Sequence, residues 1–358
     1  MKLVAEQGLW TVGPAVPEPP TVAVLEVAGA VLAWPVDDPA AGPRLTFTDV
    51  RAADWLWRVT GEAGHVAVLQ ALQDRPADAQ ASIDIADLEL SATALEPLRR
   101  LAFGHWLRRW WPASVRDGIA DLDMAVLDAE LALLTDAAQA FFVEDTLDSD
   151  IGGLLRPHRD AFAVLLRGGD ARVTALVESC LEIADWADVA EPEDIPSGRR
   201  RDDYALAAGA PAPSAAQPIG RSTTSISWSA VPPGIFDAAE DTVDWAIHPD
   251  GAGAAVLTVR TETLAPAGGV PVGLRAGDLT AVGVLDADGT AGVTLPISES
   301  AAWNHDWSAA VLTVGVAAEG ETGETRQVRD RLRALVRNRL GGAADAFLAE
   351  VLAAESDY

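Results

Sequence analysis

At 358 residues the chain can bury more than one hydrophobic core, and an apolar fraction of 49% is ordinary for a globular protein and too high for a disordered one. A formal charge of −28, from 54 acidic against 26 basic residues, makes the surface repel phosphate backbones, which disfavours nucleic acid as a partner. Lys2 is the only lysine and Cys180 the only cysteine. That excludes a P-loop, a pyridoxal Schiff base, a Ser-x-x-Lys pair, an internal disulfide and any zinc site built on two thiolates.

No apolar run reaches the roughly 18–20 residues that span a bilayer. The longest candidate, Thr21 to Trp34, carries Glu26 and stops at Pro35. Nothing near the start combines an apolar core with a small-residue cleavage site, so the expectation is a cytoplasmic protein without a membrane segment.

Residues 1–47 read as short strands and turns, with Thr21 to Val27, Val31 to Trp34 and Arg44 to Thr48 strand-like. Asp49 is positioned to cap a helix to about Val59, and Gly61 to Gly64 breaks it before a second helix to about Gln73. Ala81 to Leu90 fits neither period. Thr93 and Glu96 match a capping box, with Pro97 the alternative first helical residue, opening a helix in which Leu98, Ala102, Trp106 and Trp110 share a face. Trp111-Pro112 ends it. Leu122 to Phe142 is the strongest helical pattern, and two more helices are expected at about 154–166 and 172–186, separated by Gly168-Gly169-Asp170. From 190 to 221 prolines, alanines and charges, including Arg199-Arg200-Arg201, carry no apolar period and read as a linker.

Beyond it the period becomes two. Runs at about 223–229, 242–247, 254–262, 270–275, 279–285, 290–296 and 309–316 are separated by turn signals and fit an antiparallel β-sandwich of immunoglobulin-like size, without a Cys–Trp–Cys core. Thr325 to Leu340 is an arginine-studded helix, and Ala344 to Ala353 a shorter one. The expectation is an α+β multidomain protein: a helix-rich domain with short N-terminal strands (1–189), a linker (190–221), a β-sandwich (222–318) and C-terminal helices (319–358).

Chemistry-bearing motifs are sparse. Cys180 lies in an apolar helical stretch, the setting of a buried small hydrophobe. The histidines form no metal-ligand pair, and no cofactor or metal is implied. His305-Asp306, between Trp303 and Trp307, is either a general base beside a carboxylate or a capped loop plugged by two tryptophans. Asp286 and Asp288 resemble the start of a calcium loop, but the distal ligands are missing and turn chemistry accounts for them. Asp121/Asp123 and Asp148/Asp150 are read as helix caps.

Two features oppose the global charge. One is Arg99, Arg100, Trp106, Arg108, Arg109, Trp110 and Trp111, with Arg116 following; the other is Arg326, Arg329, Arg333 and Arg337 on the tail helix. Arginine beside tryptophan is the composition of interface hot spots, and equally of internal ion pairs around a core. The function expected is therefore a non-enzymatic binding or scaffold component of a bacterial multi-protein system, with a protein partner. Two alternatives stand: a hydrolase or transferase whose site is assembled across segments, and a sugar- or peptide-binding module using Trp228, Trp245, Trp303 or Trp307.

Overall fold

The computed structural model describes residues 1–38, 40–72, 81–86, 88–139, 142, 151–186, 217–316 and 324–356. It is α+β, with helices and three antiparallel sheets. Contacts divide the chain into two units: Met1–Trp111, Leu122–Val189 and Thr325–Tyr358 form the first, and Pro112–Asp121 with Ala190–Glu324 the second. The linker expected at 190–221 lies outside the described residues up to 216, and so do Arg199-Arg200-Arg201, Asp148 and Asp150.

In the first unit, β1 (Lys2–Glu6), β2 (Leu9–Val12), β3 (Val22–Val27), β4 (Ala30–Pro35), β5 (Arg44–Phe47) and β6 (Ser82–Asp84) make one sheet in the order β3-β4-β5-β2-β1-β6. The strand-like runs of the N-terminus thus belong to a six-stranded sheet that begins the chain. Gln7 and Gly8 both have positive φ, the geometry a two-residue hairpin needs between Glu6 and Leu9. At the β3–β4 turn, a Cβ on Gly29 would stand 2.1 Å from the Asp49 carbonyl oxygen. Glycine there lets Thr48 and Asp49 donate to its own carbonyl. Those bonds hold the end of β5, so Asp49 opens a turn and not a helix. After a 3-10 turn at Asp54–Leu56, α1 (Trp57–Leu72) begins and kinks at Gly61 (φ 72°).

Helix α2 (Ala92–Trp110) is capped by Ser91, whose hydroxyl accepts from Ala94 N, and not by Thr93. Pro97 sits within it. It packs on β3 and on α3 (Met124–Gln139), where Asp123 caps by accepting from Ala125 and Val126 N. Then come α4 (Ile151–Leu155), a 3-10 turn at Arg156–His158, α5 (Arg159–Leu165) and α6 (Ala171–Trp186). Gly169 is left-handed, and Asp170 accepts from Arg172 and Val173 N at the start of α6.

The second unit holds β7 (Gly220–Thr224), β8 (Val243–Pro249), β9 (Ala254–Thr261), β10 (Pro271–Ala276), β11 (Leu279–Val284), β12 (Thr290–Ser298), the short α7 (Glu299–Trp303) and β13 (Val311–Val314). They form a four-stranded sheet, β12-β9-β8-β7, and a three-stranded sheet, β11-β10-β13. Val243, Trp245, Leu257, Val272, Leu274 and Leu312 come from both sheets into one buried cluster. The first strand stops before Ser225, and further along the run Trp228 and Ser229 N donate to the Glu324 carboxylate instead of to a neighbouring strand. Residues 112–121 belong here as well. Asp237 accepts from Val115 and Arg116 N, and the Arg116 guanidinium donates to the Glu240 and Asp241 carbonyls and to Glu262.

The tail helices α8 (Arg326–Leu340) and α9 (Leu348–Ser356) belong to the first unit. Leu332, Val336 and Phe347 are fully buried, and Glu130 of α3 accepts from Ala349 N at the start of α9.

Candidate functional site

The arginines that stand against the acidic background are mostly engaged inside their own unit. Arg100 donates to the Asp345 carbonyl at 2.7 Å, lies 4.3 Å over the Phe347 ring and reaches Glu130 at 3.8 Å. Arg99 pairs with Glu96 at 3.8 Å. Arg109 covers the Trp110 ring at 4.3 Å. Trp106 is buried, stacks on Phe103 and donates to the Pro20 carbonyl at 2.6 Å; Trp111 is buried as well, and Trp110 half-buried.

On α8, Arg326 and Arg337 are exposed and Arg329 half-buried, while Arg333 is buried with Asp330 at 2.8 Å. Arg339, which the sequence pattern did not distinguish from its neighbours, is the anchor of the tail. Its Nε and Nη2 donate to the two oxygens of fully buried Glu350 at 2.6 and 2.7 Å, and its guanidinium lies 4.4 Å over the Phe103 ring. Its pKa rises: the bonds and charge of Glu350 and Asp345 outweigh burial, the largest single influence, which acts the other way.

One buried charge went unnoticed in the sequence because its partners are distant along the chain. Asp128 of α3 is 2% exposed; its carboxylate accepts from Arg108 Nε at 2.7 Å and lies 2.8 Å from His158 Nε2. Burial, then the Arg108 charge, pull the nearby His105 below its ordinary value, against an opposing pull from Asp128. An imidazole oriented by a buried carboxylate is the start of a general base. Among the described residues, however, no serine, threonine or cysteine hydrogen-bonds to His158. What the arrangement does is join the 156–158 turn to α3 and α2.

The loop at His305 brings less together than its sequence promised. Asp306 is exposed and accepts from Ser308 N. The His305 ring lies 4.4 Å from that of Trp307, and its Nε2 is buried without a partner. Trp307 Nε1 donates to the Ala302 carbonyl, and Trp303 is 50% exposed. Trp228 and Trp245 are buried. Asp286 accepts from Asp288 N and from Thr290 N and Oγ1, bonds that lower its pKa and spend its oxygens within the turn. Cys180 is buried, donates to the Ala129 carbonyl and has its pKa pushed up to about 12, by burial first and the Glu130 charge second. Among the described residues no three His, Cys, Asp or Glu side chains form a group able to hold a metal ion.

A different surface stands out, one with almost no titratable chemistry. The register of the three-stranded sheet places Val284 beside Pro271, Val282 and Thr313 on either side of Gly273, and Thr280 and Val311 on either side of Arg275. These residues share the sheet face opposite buried Val272, Leu274, Ala281, Leu312 and Val314. Val282 is 81% exposed, Val284 62% and Val311 50%. A solvated face of an antiparallel sheet normally alternates to polar residues. This one carries Val282, Val284, Val311 and Pro271 beside two threonines, and Arg275 is its only charge.

No described helix is long and apolar enough to cross a membrane. No family model matches the chain, and neither a curated protein nor a solved structure matches it significantly.

Proposed function

We propose that the chain is a non-enzymatic binding or scaffold component of a bacterial cytoplasmic multi-protein system. In this reading a helix-rich region and a β-sandwich of immunoglobulin-like size form its two working parts. One observation carries it: the valine-bearing outer face of β10, β11 and β13, whose only charge is Arg275, on a molecule with a net charge of −28. Contiguous exposed apolar surface is costly to solubility and marks interaction sites when it is retained. The internal engagement of Arg100, Arg108, Arg116, Arg333 and Arg339 supports the sheet face, over the arginine clusters, as the main partner surface. It also supports a protein partner over nucleic acid, because most of the clustered arginines among the described residues are engaged within their own unit.

Purification of the full-length chain from its native host tests the reading. A stable, stoichiometric protein partner is the expected result. Recovery of the chain alone under low-salt, gentle conditions would overturn it.

A further inference from the structure

The sheet face also constrains what binds it. Three strands about 4.8 Å apart and four to six residues long, at about 3.3 Å per residue, cover a patch of about 15 by 18 Å. That is about 270 Å², well short of the about 800 Å² per partner that a standard stable dimer buries. A second copy is further disfavoured because it would bring another charge of −28 to the contact.

The same patch matches one helix. An α-helix is about 10 Å across, and three turns of it run about 16 Å. Gly273 supports that fit: it lies in the central strand between Val282 and Thr313, and a Cβ built on it would meet nothing within 4 Å. The missing side chain leaves a dimple between Pro271, Arg275, Val282 and Thr313, relief that a projecting side chain of a helix fills. Arg275 closes one end and makes no ion pair among the described residues, although the chain carries 54 acidic residues. An unengaged guanidinium at the rim of an apolar patch recognises a carboxylate.

From this we infer that the outer face of β10, β11 and β13 docks one amphipathic helix of a different protein. That helix presents aliphatic side chains at i, i+3, i+4 and i+7 and an Asp or Glu at the end that meets Arg275. The inference rests on the protein-binding reading above and specifies the partner's chemistry.

Photo-crosslinking in the producing cell tests it, with p-benzoylphenylalanine at Val282 or Val284 of the full chain and, as controls, at Thr223 and Arg326. The expected result is a crosslink from 282 and 284 to one other protein, mapped by peptide sequencing to a segment with that aliphatic period. A synthetic peptide of the segment then binds the purified chain at least ten-fold more weakly after Val282→Asp, and several-fold more weakly after Arg275→Glu. Both positions are exposed, so an unchanged melting temperature shows that the variants fold.

Crosslinks to a second copy, to this chain's own residues or to a segment without helical period would overturn the inference. So would a partner captured only from 223 or 326, which would leave the protein-binding reading standing. Absence of any intermolecular crosslink from all four positions would remove both.

Discussion

Glu350 has no exposed side-chain surface, and both of its oxygens are taken by Arg339. Removing one partner of a buried ion pair strands the other charge in a poorly solvating site, at a cost of about 3–5 kcal/mol. Arg339→Ala, which leaves fully buried Glu350 without its guanidinium, should therefore destabilise the protein by about that amount in urea unfolding, far more than a surface salt bridge would. Cys180 supports a second expectation. A buried thiol with a pKa near 12 is neither accessible nor ionised at pH 8, so a thiol-reactive chromophore should leave it unlabelled until denaturant is added. Prompt labelling of the native protein would contradict that placement. The burial of Cys180 was legible from its apolar helical neighbours. The roles of Arg339 and Asp128 were not: Arg339 looks like any other arginine on α8, and Asp128 meets partners 20 and 30 residues away. Charge composition counts guanidinium groups without telling which of them turn inward.

At the scale of elements, the spacing of α2 against its neighbours depends on Gly104. A Cβ there would stand 2.5 Å from a Leu131 methyl and 2.9 Å from the Phe347 ring. Helix propensity favours replacing glycine by at most about 1 kcal/mol. Overpacking costs about 1–3 kcal/mol, so the branched side chain of Gly104→Val should lower stability in thermal unfolding. The start of α6 carries a pH dependence. Asp170 is held at about 2, first by the Arg172 side-chain bond and then by backbone N–H bonds. A depressed folded value means that the contribution is complete above the unfolded aspartate value of about 3.9 and is lost as pH falls through the folded one. Acid titrations of the wild type and Asp170→Asn should therefore differ above about pH 4 and converge towards pH 2.

This cap was legible because Gly-Gly-Asp places a left-handed residue directly before a side-chain acceptor. The strands of the second unit were legible from their alternation, within a few residues at most ends. Two features were hidden. The strand expected at 223–229 ends at Thr224, and at the far end of that run Glu324, 95 residues or more away, accepts from Trp228 and Ser229 N. The six-stranded sheet was read only as separate short strands, since order within a sheet depends on pairings between segments that periodicity does not encode.

On the scale of the whole molecule, the chain crosses between its units after Trp111, Asp121, Val189 and Glu324. The crossings after Trp111 and Asp121, which carry residues 112–121 into the second unit, were not read from the sequence, because no run of proline or glycine marks them. The acidic, lysine-poor character read at the outset remains the setting for function, but it acts by contrast. Among the described residues most of the clustered arginines turn to carboxylates, carbonyls and aromatic rings of their own unit, and the valine-bearing face of β10, β11 and β13 stands out against them. The alternation that revealed these strands puts Val282 and Val284 on one face of β11, and the pairing of β10 with β13 adds Val311 to it. It did not reveal that this face is the solvated one, because both faces of β11 carry small or apolar residues.

The most direct test of that account is a quantitative comparison of partner recovery by three full-length baits: wild type, Val282→Asp and Arg326→Glu/Arg337→Glu. The account predicts at least a ten-fold loss of the partner with Val282→Asp and near-wild-type recovery with the arginine variant. Undiminished recovery with Val282→Asp, together with loss in the arginine variant, would contradict it and return the partner surface to α8.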